Sequence, residues 1–241
     1  MDLTNRAVID LTHPISTRMP VSLGFPRVMV SRYLDRQAGD VATVEVVQLS
    51  LHTGTHVDAP VHFIDGGLAI DELDPLALCG TAAVVDITPT EDWRAVERTD
   101  VEGWEIRTGT TIGEGDIVLL RTGHARYWRD LPAGSAYLTQ PWPFLGETLV
   151  ELLLERRIRA LGVECPDPDK VDQRDLSTST FMGHHRLLGA GIPIIENLAN
   201  LAAIPVPRVD FLALGLPFVG ASGSPIRALA LLPAGPARQG T

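Results

Sequence analysis

Residues 51–63 read LHTGTHVDAPVHF, and this stretch constrains the path of the chain more than any other. It packs His52, His56 and His62, three of seven histidines, together with Asp58 into eleven residues. Imidazole and carboxylate are the N/O donor set that suits Zn2+, Mn2+ and Fe2+, and no Cys lies nearby to favour a softer site. In a straight strand His52 and His62 would stand roughly 33 Å apart, at about 3.3 Å per residue. A straight helix would align His52 with His56 but turn Asp58 elsewhere. A shared ion therefore requires the chain to curl. Gly54 can take backbone angles closed to other residues, and Pro60 imposes a fixed φ. A turn at Gly54-Thr55, just after a strand, gathers His52, His56 and Asp58 round one point. His62, beyond Pro60, is left at the rim, where it can handle protons. Each histidine alone would read as a satisfied polar residue; the cluster, with Gly and Pro at its bends, reads as a metal site.

Outward from this stretch, short apolar and β-branched runs recur. They include VMVSRYL, VATVEVVQLS, TAAVVDI, DIVLLRT, ALGVE, IPIIENL, VDFLALGL and IRALALL, each bounded by Gly, Pro, Asp or Asn as strands are. TVEVVQL partly alternates, which predicts one more polar face. DIVLLRT and FLALGL are continuous, as strands buried on both faces tend to be. Apolar residues at helical spacing predict one helix over 144–158, and a shorter one is expected over Thr180–Leu188, stopped by Gly189 and Gly191. Strands outnumber helices, with no linker, repeat or low-complexity tract. The expected fold class is α/β: a single domain spanning 1–241, with a mixed β-sheet core, few helices and a disordered tail at 234–241.

The 241 residues are 45% hydrophobic and 21% charged, enough for a sizeable core, and carry a formal net charge of -10. No Lys/Arg cluster offers the basic footprint that phosphate neutralisation needs, so nucleic acid is not an expected partner. Cys79 and Cys165 form no C-x-x-C pair, which fits a reducing compartment. The opening MDLTNRAVIDLTHPI is broken by polar residues before an apolar run develops, and FLALGLPFVG is too short to span a bilayer. A soluble cytoplasmic protein without membrane contact is expected.

The pattern H-x-G-T-H-x-D-x-P-x-H resembles the signature of the putative cyclase family, which contains bacterial kynurenine formamidases and isatin hydrolases. The resemblance extends over nearly the whole chain. AVIDLTHPI, DPLALCGTAAVVDI, GDIVLLRTG, IPIIENLANL and GSPIRALAL are similar to successive family segments. It implies a first divalent ion, Zn2+ or Mn2+, on His52, His56 and Asp58. It further implies that Asp58 bridges to a second ion on Glu196 and His184 of FMGHH, the neighbouring His185 being the competitor that the alignment back from Glu196 disfavours, so that each subunit holds one or two ions. A continuous helix would separate residues 184 and 196 by about 18 Å, but Gly189, Gly191 and Pro193 interrupt it and allow a strand to return. A homodimer or homotetramer is also implied.

A bound divalent ion would lower the pKa of its water and polarise an amide carbonyl. His62 is then the candidate catalytic proton carrier, its ordinary pKa lying near working pH, and Glu196 either assists it or serves only as ligand. No G-x-S-x-G elbow offers a serine nucleophile. Ser224, in the turn GASGSP, is a candidate substrate donor. Phe25 and Phe63, with Phe181 and Trp142, are candidate apolar walls of a small-molecule pocket, and Cys165 is expected to be a small buried residue. Formamidase-like members carry an aromatic residue and a Pro-Gly-Asp-Pro-like turn near the start. In MPVSLGFPRV, Ser22 stands where that Trp would, and Phe25 replaces the acid of the turn, so an aromatic clamp for N-formylkynurenine is not in place. The leading expectation is hydrolysis of a C–N amide bond, in an aryl formamide or a cyclic amide such as isatin. The alternatives are a cyclase or dehydratase using the same Lewis acid, and a non-catalytic metal-binding protein.

Overall fold

The computed structural model describes residues 6–89, 93–132, 135–172 and 176–232. The tail expected to be disordered lies outside them. In chain order the first strands are β1 (Val8–Asp10), β2 (Met29–Leu34), β3 (Val44–Gln48), β4 (His56–Asp58), β5 (Cys79–Asp86), β6 (Ala95–Val96) and β7 (Ile117–Arg121). They are followed by β8 (Phe144–Leu145), β9 (Ala160–Val163), β10 (Ile194–Glu196), β11 (Arg208–Leu212), β12 (Gly223–Pro225) and β13 (Leu229–Leu231). The four helices among the described residues are α1 (Arg98–Thr108), α2 (Ser135–Thr139), α3 (Glu147–Glu155) and α4 (Met182–Gly189).

Nine strands form one mixed sheet in the order β1-β13-β11-β5-β7-β9-β10-β4-β12. Its centre, β5-β7-β9-β10, is parallel, and both flanks are antiparallel. The parallel centre follows from the crossovers: α1, α3 and α4 each lie between successive central strands, as parallel pairing requires. In β7, Val118 and Leu120 enter the core under the helices, while Ile117 and Leu119 enter a second core on the opposite face. The continuous apolar run DIVLLRT therefore marks a strand buried on both faces, as read from the sequence.

FLALGL differs. Val209 and Phe211 of β11 are buried, whereas Leu214 and Leu216 are exposed, because the strand ends at Leu212 and its continuation runs along the surface. TVEVVQL differs more. β3 pairs only with β2, and in this hairpin Val44, Val46 and Val47 are all exposed, so neither face enters the core. The helix predicted over 144–158 is shorter. Phe144 and Leu145 are drawn into β8 by pairing with β6, and Gly146 caps a helix that starts at Glu147. Helix α1 was not legible, since only Val101 and Trp104 of its eleven residues are buried and Ile106 points outward. Its ends carry the better signal: a capping box joins Glu97 to Asp100, and Gly109 closes it in the left-handed region.

Candidate metal centre

β4 carries the centre. Its His56 and Asp58, two residues apart, share a face, and β10 runs antiparallel alongside with Glu196 opposite His56. On its other side β12 places Pro225 opposite His56 and Gly223 opposite Asp58. Before the strand, Gly54 adopts φ 70°, and its carbonyl accepts a 2.8 Å hydrogen bond from His56 Nδ1–H. That turn swings His52 back, so that its Nδ1–H donates to Asp58 Oδ1 at 2.6 Å and its Nε2 accepts from the Ser222 hydroxyl at 2.8 Å. After the strand, Pro60 opens a short 3-10 turn, Pro60–His62, which lays the His62 ring on that of His52 with centroids 3.8 Å apart.

The fourth imidazole comes from the first turn of α4. His184 Nδ1–H donates to Asp169 Oδ2 at 2.8 Å, and the same carboxylate accepts the backbone N–H groups of Gly183 and His184. With both Nδ1 atoms committed, His56 and His184 present Nε2 to the same two carboxylates. His56 Nε2 lies 3.2 Å from Asp58 Oδ1 and 3.5 Å from Glu196 Oε2. His184 Nε2 lies 3.5 Å from Asp58 Oδ2 and 3.4 Å from Glu196 Oε1. Asp167 Oδ1 stands 3.8 Å from His184 Nδ1. His56, Asp58, His184 and Glu196 are each at most 6% exposed.

This packing acts strongly on protonation. Burial pulls His56 down, but the carboxylates of Asp58 and Glu196 and the bond to Gly54 lift it to about 9. His184 is raised for the same kind of reason, against its burial, by Asp167, Asp169, Asp58 and Glu196. Burial raises Asp58, yet the surrounding imidazoles hold it well below the usual carboxylate range. Glu196 goes up, through burial and the charge of Asp58. Burial takes His62 down to about 4, helped by the neighbouring imidazoles against Asp58. Four carboxylates crowded into a buried space cost free energy unless cations balance them. Two imidazoles with Nδ1 committed and Nε2 turned to the oxygens of Asp58 and Glu196 are a donor set that fits one or two divalent ions, each Nε2 becoming a lone-pair donor when an ion displaces its proton.

The structure thus brings His52, His56, Asp58, His62, His184 and Glu196 together. Of the two adjacent histidines, His184 enters the cluster and His185 is exposed, its ring edge-on to Phe63. His62 is more than a rim residue: with Asp58 and His184 it forms a group whose donor atoms lie within 4.8 Å of one another. Ser224 is corrected. Its hydroxyl is fully buried, donating to the Pro225 carbonyl and accepting from Leu216 N–H, so it does not reach the cavity; Ser222 is the serine that touches the cluster. Phe25, Phe63 and Phe181 line a cavity of about 180 Å³ with the metal-binding candidates, and Ser22 is also in its wall. Trp142 lines a neighbouring cavity instead. Cys165 is buried and its thiol is pushed up by desolvation, so it is no nucleophile. Sequence reading missed Asp167, Asp169 and Asn197. Asp167 and Asp169 lie in ECPDPD just after β9, where carboxylates flanking a proline read as turn chemistry. Asn197 lines the cavity and accepts from the Tyr137 hydroxyl at 2.8 Å.

A mixed sheet whose antiparallel flank presents a histidine–carboxylate cluster is the architecture of one family of metal-dependent hydrolases. The family described as Putative cyclase matches residues 9–170, and the chain belongs to it. A kynurenine formamidase of Bacillus cereus is 28% identical over 222 residues, covering 92% of this chain and 95% of its own length. One from Bacillus cytotoxicus is 27% identical over 226 residues, with the same coverage. Among solved structures, isatin hydrolase A from Ralstonia solanacearum superposes with a TM-score of 0.83 at 30% identity, covering 95% of this chain and 93% of its own.

Proposed function

We propose that this chain is a metal-dependent hydrolase that cleaves a C–N amide bond outside peptides, in an aryl formamide or a cyclic amide such as isatin. The observation that carries this is the pair of Nε2 atoms, on His56 and His184, turned to the two carboxylates of Asp58 and Glu196. Family membership and the similarity to kynurenine formamidases and isatin hydrolase support it. His52, His56 and Asp58 would hold a first divalent ion, and His184 and Glu196, with Asp58 between, a second; imidazole with carboxylate suits zinc and manganese alike. When bound, such an ion supplies Lewis acidity for an amide carbonyl and lowers the pKa of water.

The chain's own groups do the rest. Asp169 and the Gly54 carbonyl keep the proton of each imidazole on Nδ1. His62, stacked on His52 at the cavity wall, accepts a proton at its ring nitrogen and returns it to the departing amine. Phe25, Phe63 and Phe181 displace water from the cavity and give an aromatic substrate an apolar wall. Residues 1–241 act as one domain. The hairpin of β2 and β3, with Met29, Val30, Tyr33 and Val46 exposed, supports a homodimer or homotetramer. No described helix is long and apolar enough to cross a membrane, and the free Cys79 and Cys165 suit the cytoplasm.

The test is a panel of formanilides, cyclic imides and isatin, scored by product mass. Gain of water by isatin or an imide, or release of formate from a formanilide, is the expected result. Loss of water from an open-chain substrate would make the protein a cyclase, and metal binding without turnover of any amide would make it non-catalytic.

A further inference from the structure

The cavity at the metal centre measures about 180 Å³, below the roughly 300 Å³ at which small-molecule sites begin. It accommodates an amide group, and leaves little room for what the amide carries. Beside it lies a second cavity of about 450 Å³, walled chiefly by Val21, Leu23, Trp93, Leu138, Trp142 and Val171. Leu23 and Val171 line both cavities, so the two adjoin. Their chemistry differs. The small one brings the imidazoles and carboxylates together with the Phe25, Phe63 and Phe181 rings. The large one is walled mainly by two indoles and aliphatic side chains, with Arg27, Thr139, Gln140 and Asp172 also in its wall.

Trp142 ties the large cavity to the centre. Its indole N–H donates to the Asp169 carbonyl at 3.0 Å, so its only polar atom is satisfied by the residue that holds His184. At the outer edge Trp93 is 41% exposed, and the Lys170 ammonium sits over its ring, 4.8 Å from the centroid. An apolar ligand can therefore enter past Trp93 and rest on Trp142 without stranding a buried donor.

We propose that the two cavities form one substrate site. The small cavity, which holds the imidazoles and carboxylates, takes the scissile amide, and the large one takes an apolar substituent of the same molecule, an aryl ring bearing an alkyl or second aryl group, across a sill made by Leu23 and Val171. This rests on the hydrolase reading and narrows its substrates to amides of bulky, apolar amines.

Binding and turnover test it separately. Aniline, 4-ethylaniline and 4-butylaniline, the amines such amides would release, are titrated into the metal-loaded protein and followed by tryptophan fluorescence. Each added methylene should lower Kd about fourfold, the value expected for burying it in an apolar wall. Leu138→Trp, which fills the chamber, should flatten the series. Trp93→Ala, at an exposed position that tolerates truncation, should weaken 4-butylaniline more than aniline. A flat series in the wild-type protein overturns the proposal. If Leu138→Trp then also converts an oligomer to a monomer in sedimentation, the chamber belongs to a second copy of the chain. Hydrolysis of the matching formanilides is read in parallel: tightening with chain length but no turnover of any formanilide keeps the chamber as a ligand site and removes the hydrolase reading.

Discussion

Asp169 Oδ2 lies 2.8 Å from His184 Nδ1, in a carboxylate that also accepts the first backbone N–H groups of α4. One buried side chain thus sets both where the helix begins and which nitrogen of its histidine faces Asp58 and Glu196. Asp169→Asn should weaken metal binding at the His184 position by about 10- to 100-fold, the usual effect of removing a carboxylate behind a metal-binding imidazole. Metal-ion titration of Asp169→Asn beside Asp169→Glu reads this, with partial recovery expected in the latter. Equal affinity in all three proteins would mean that Asp169 only caps the helix.

The metal content of the purified protein should be one or two divalent ions per chain. His56→Ala should lose most of it, and Glu196→Gln should lower the stoichiometry while keeping the first ion. Chelation should also lower the melting temperature, because the folded state alone gathers these donors. Elemental analysis gives the counts; full occupancy in His56→Ala would remove the proposed centre.

His62→Ala should keep its metal and its fold while kcat falls by about a hundred- to ten-thousand-fold, the range for losing general acid/base assistance. KM should change far less if the loss is felt mainly in the transition state. The rival outcome is specific, since His62 stands within reach of Asp58 and His184. Metal loss comparable with that of His56→Ala would make His62 a ligand.

Stability should fall as pH drops from about 6.5 to about 4 through His13, whose backbone N–H donates to the Thr55 hydroxyl at 2.9 Å. Its ring is buried and stacked on Trp128 with centroids 4.0 Å apart, and its Nε2 has no hydrogen-bond partner among the described residues. Burial lowers its pKa from the ordinary 6.5 to about 4. Between those values the unfolded chain binds a proton that the folded chain refuses, so stability is full above the upper value and lost towards the lower one. The shift corresponds to a loss on the order of 3 kcal/mol. His13→Phe should flatten that part of the pH profile in denaturant melts; an unchanged slope would place the titrating group elsewhere.

Gly223→Ala should destabilise the protein by about 1–3 kcal/mol, the range for overfilling a packed site. A Cβ there would stand 2.6 Å from the Val57 carbonyl oxygen and 2.8 Å from His52 Cε1. Either β12 parts from β4 or His52 leaves Asp58, so metal affinity should fall with stability. Thermal melts with and without added metal separate the two.

The sequence by itself carried whatever depends on neighbours along the chain. The spacing of His52, His56 and Asp58 around Gly54 and Pro60 announced a curled donor cluster, because i and i+2 share a strand face and only a bend can add a third donor. DIVLLRT announced a strand buried on both faces, and the apolar spacing of Leu149, Leu152 and Leu153 announced α3. Tertiary structure decided what depends on partners far away. The antiparallel register of β10 on β4 sets Glu196 opposite His56, and nothing near residue 196 encodes that alignment. Asp169 beneath α4 chose His184 over His185, a choice local spacing left open, because adjacent residues on a helix differ only in what lies under each. Ser222 reached His52 while Ser224 turned into backbone bonds, since Ser222 lies just before β12 and is free of its alternation, whereas Ser224 is paired with Val57 and so faces away from His56 and Asp58. The β2–β3 hairpin had the composition of a core element and lies outside the core, because burial is set by what packs on a strand and not by the strand's own residues.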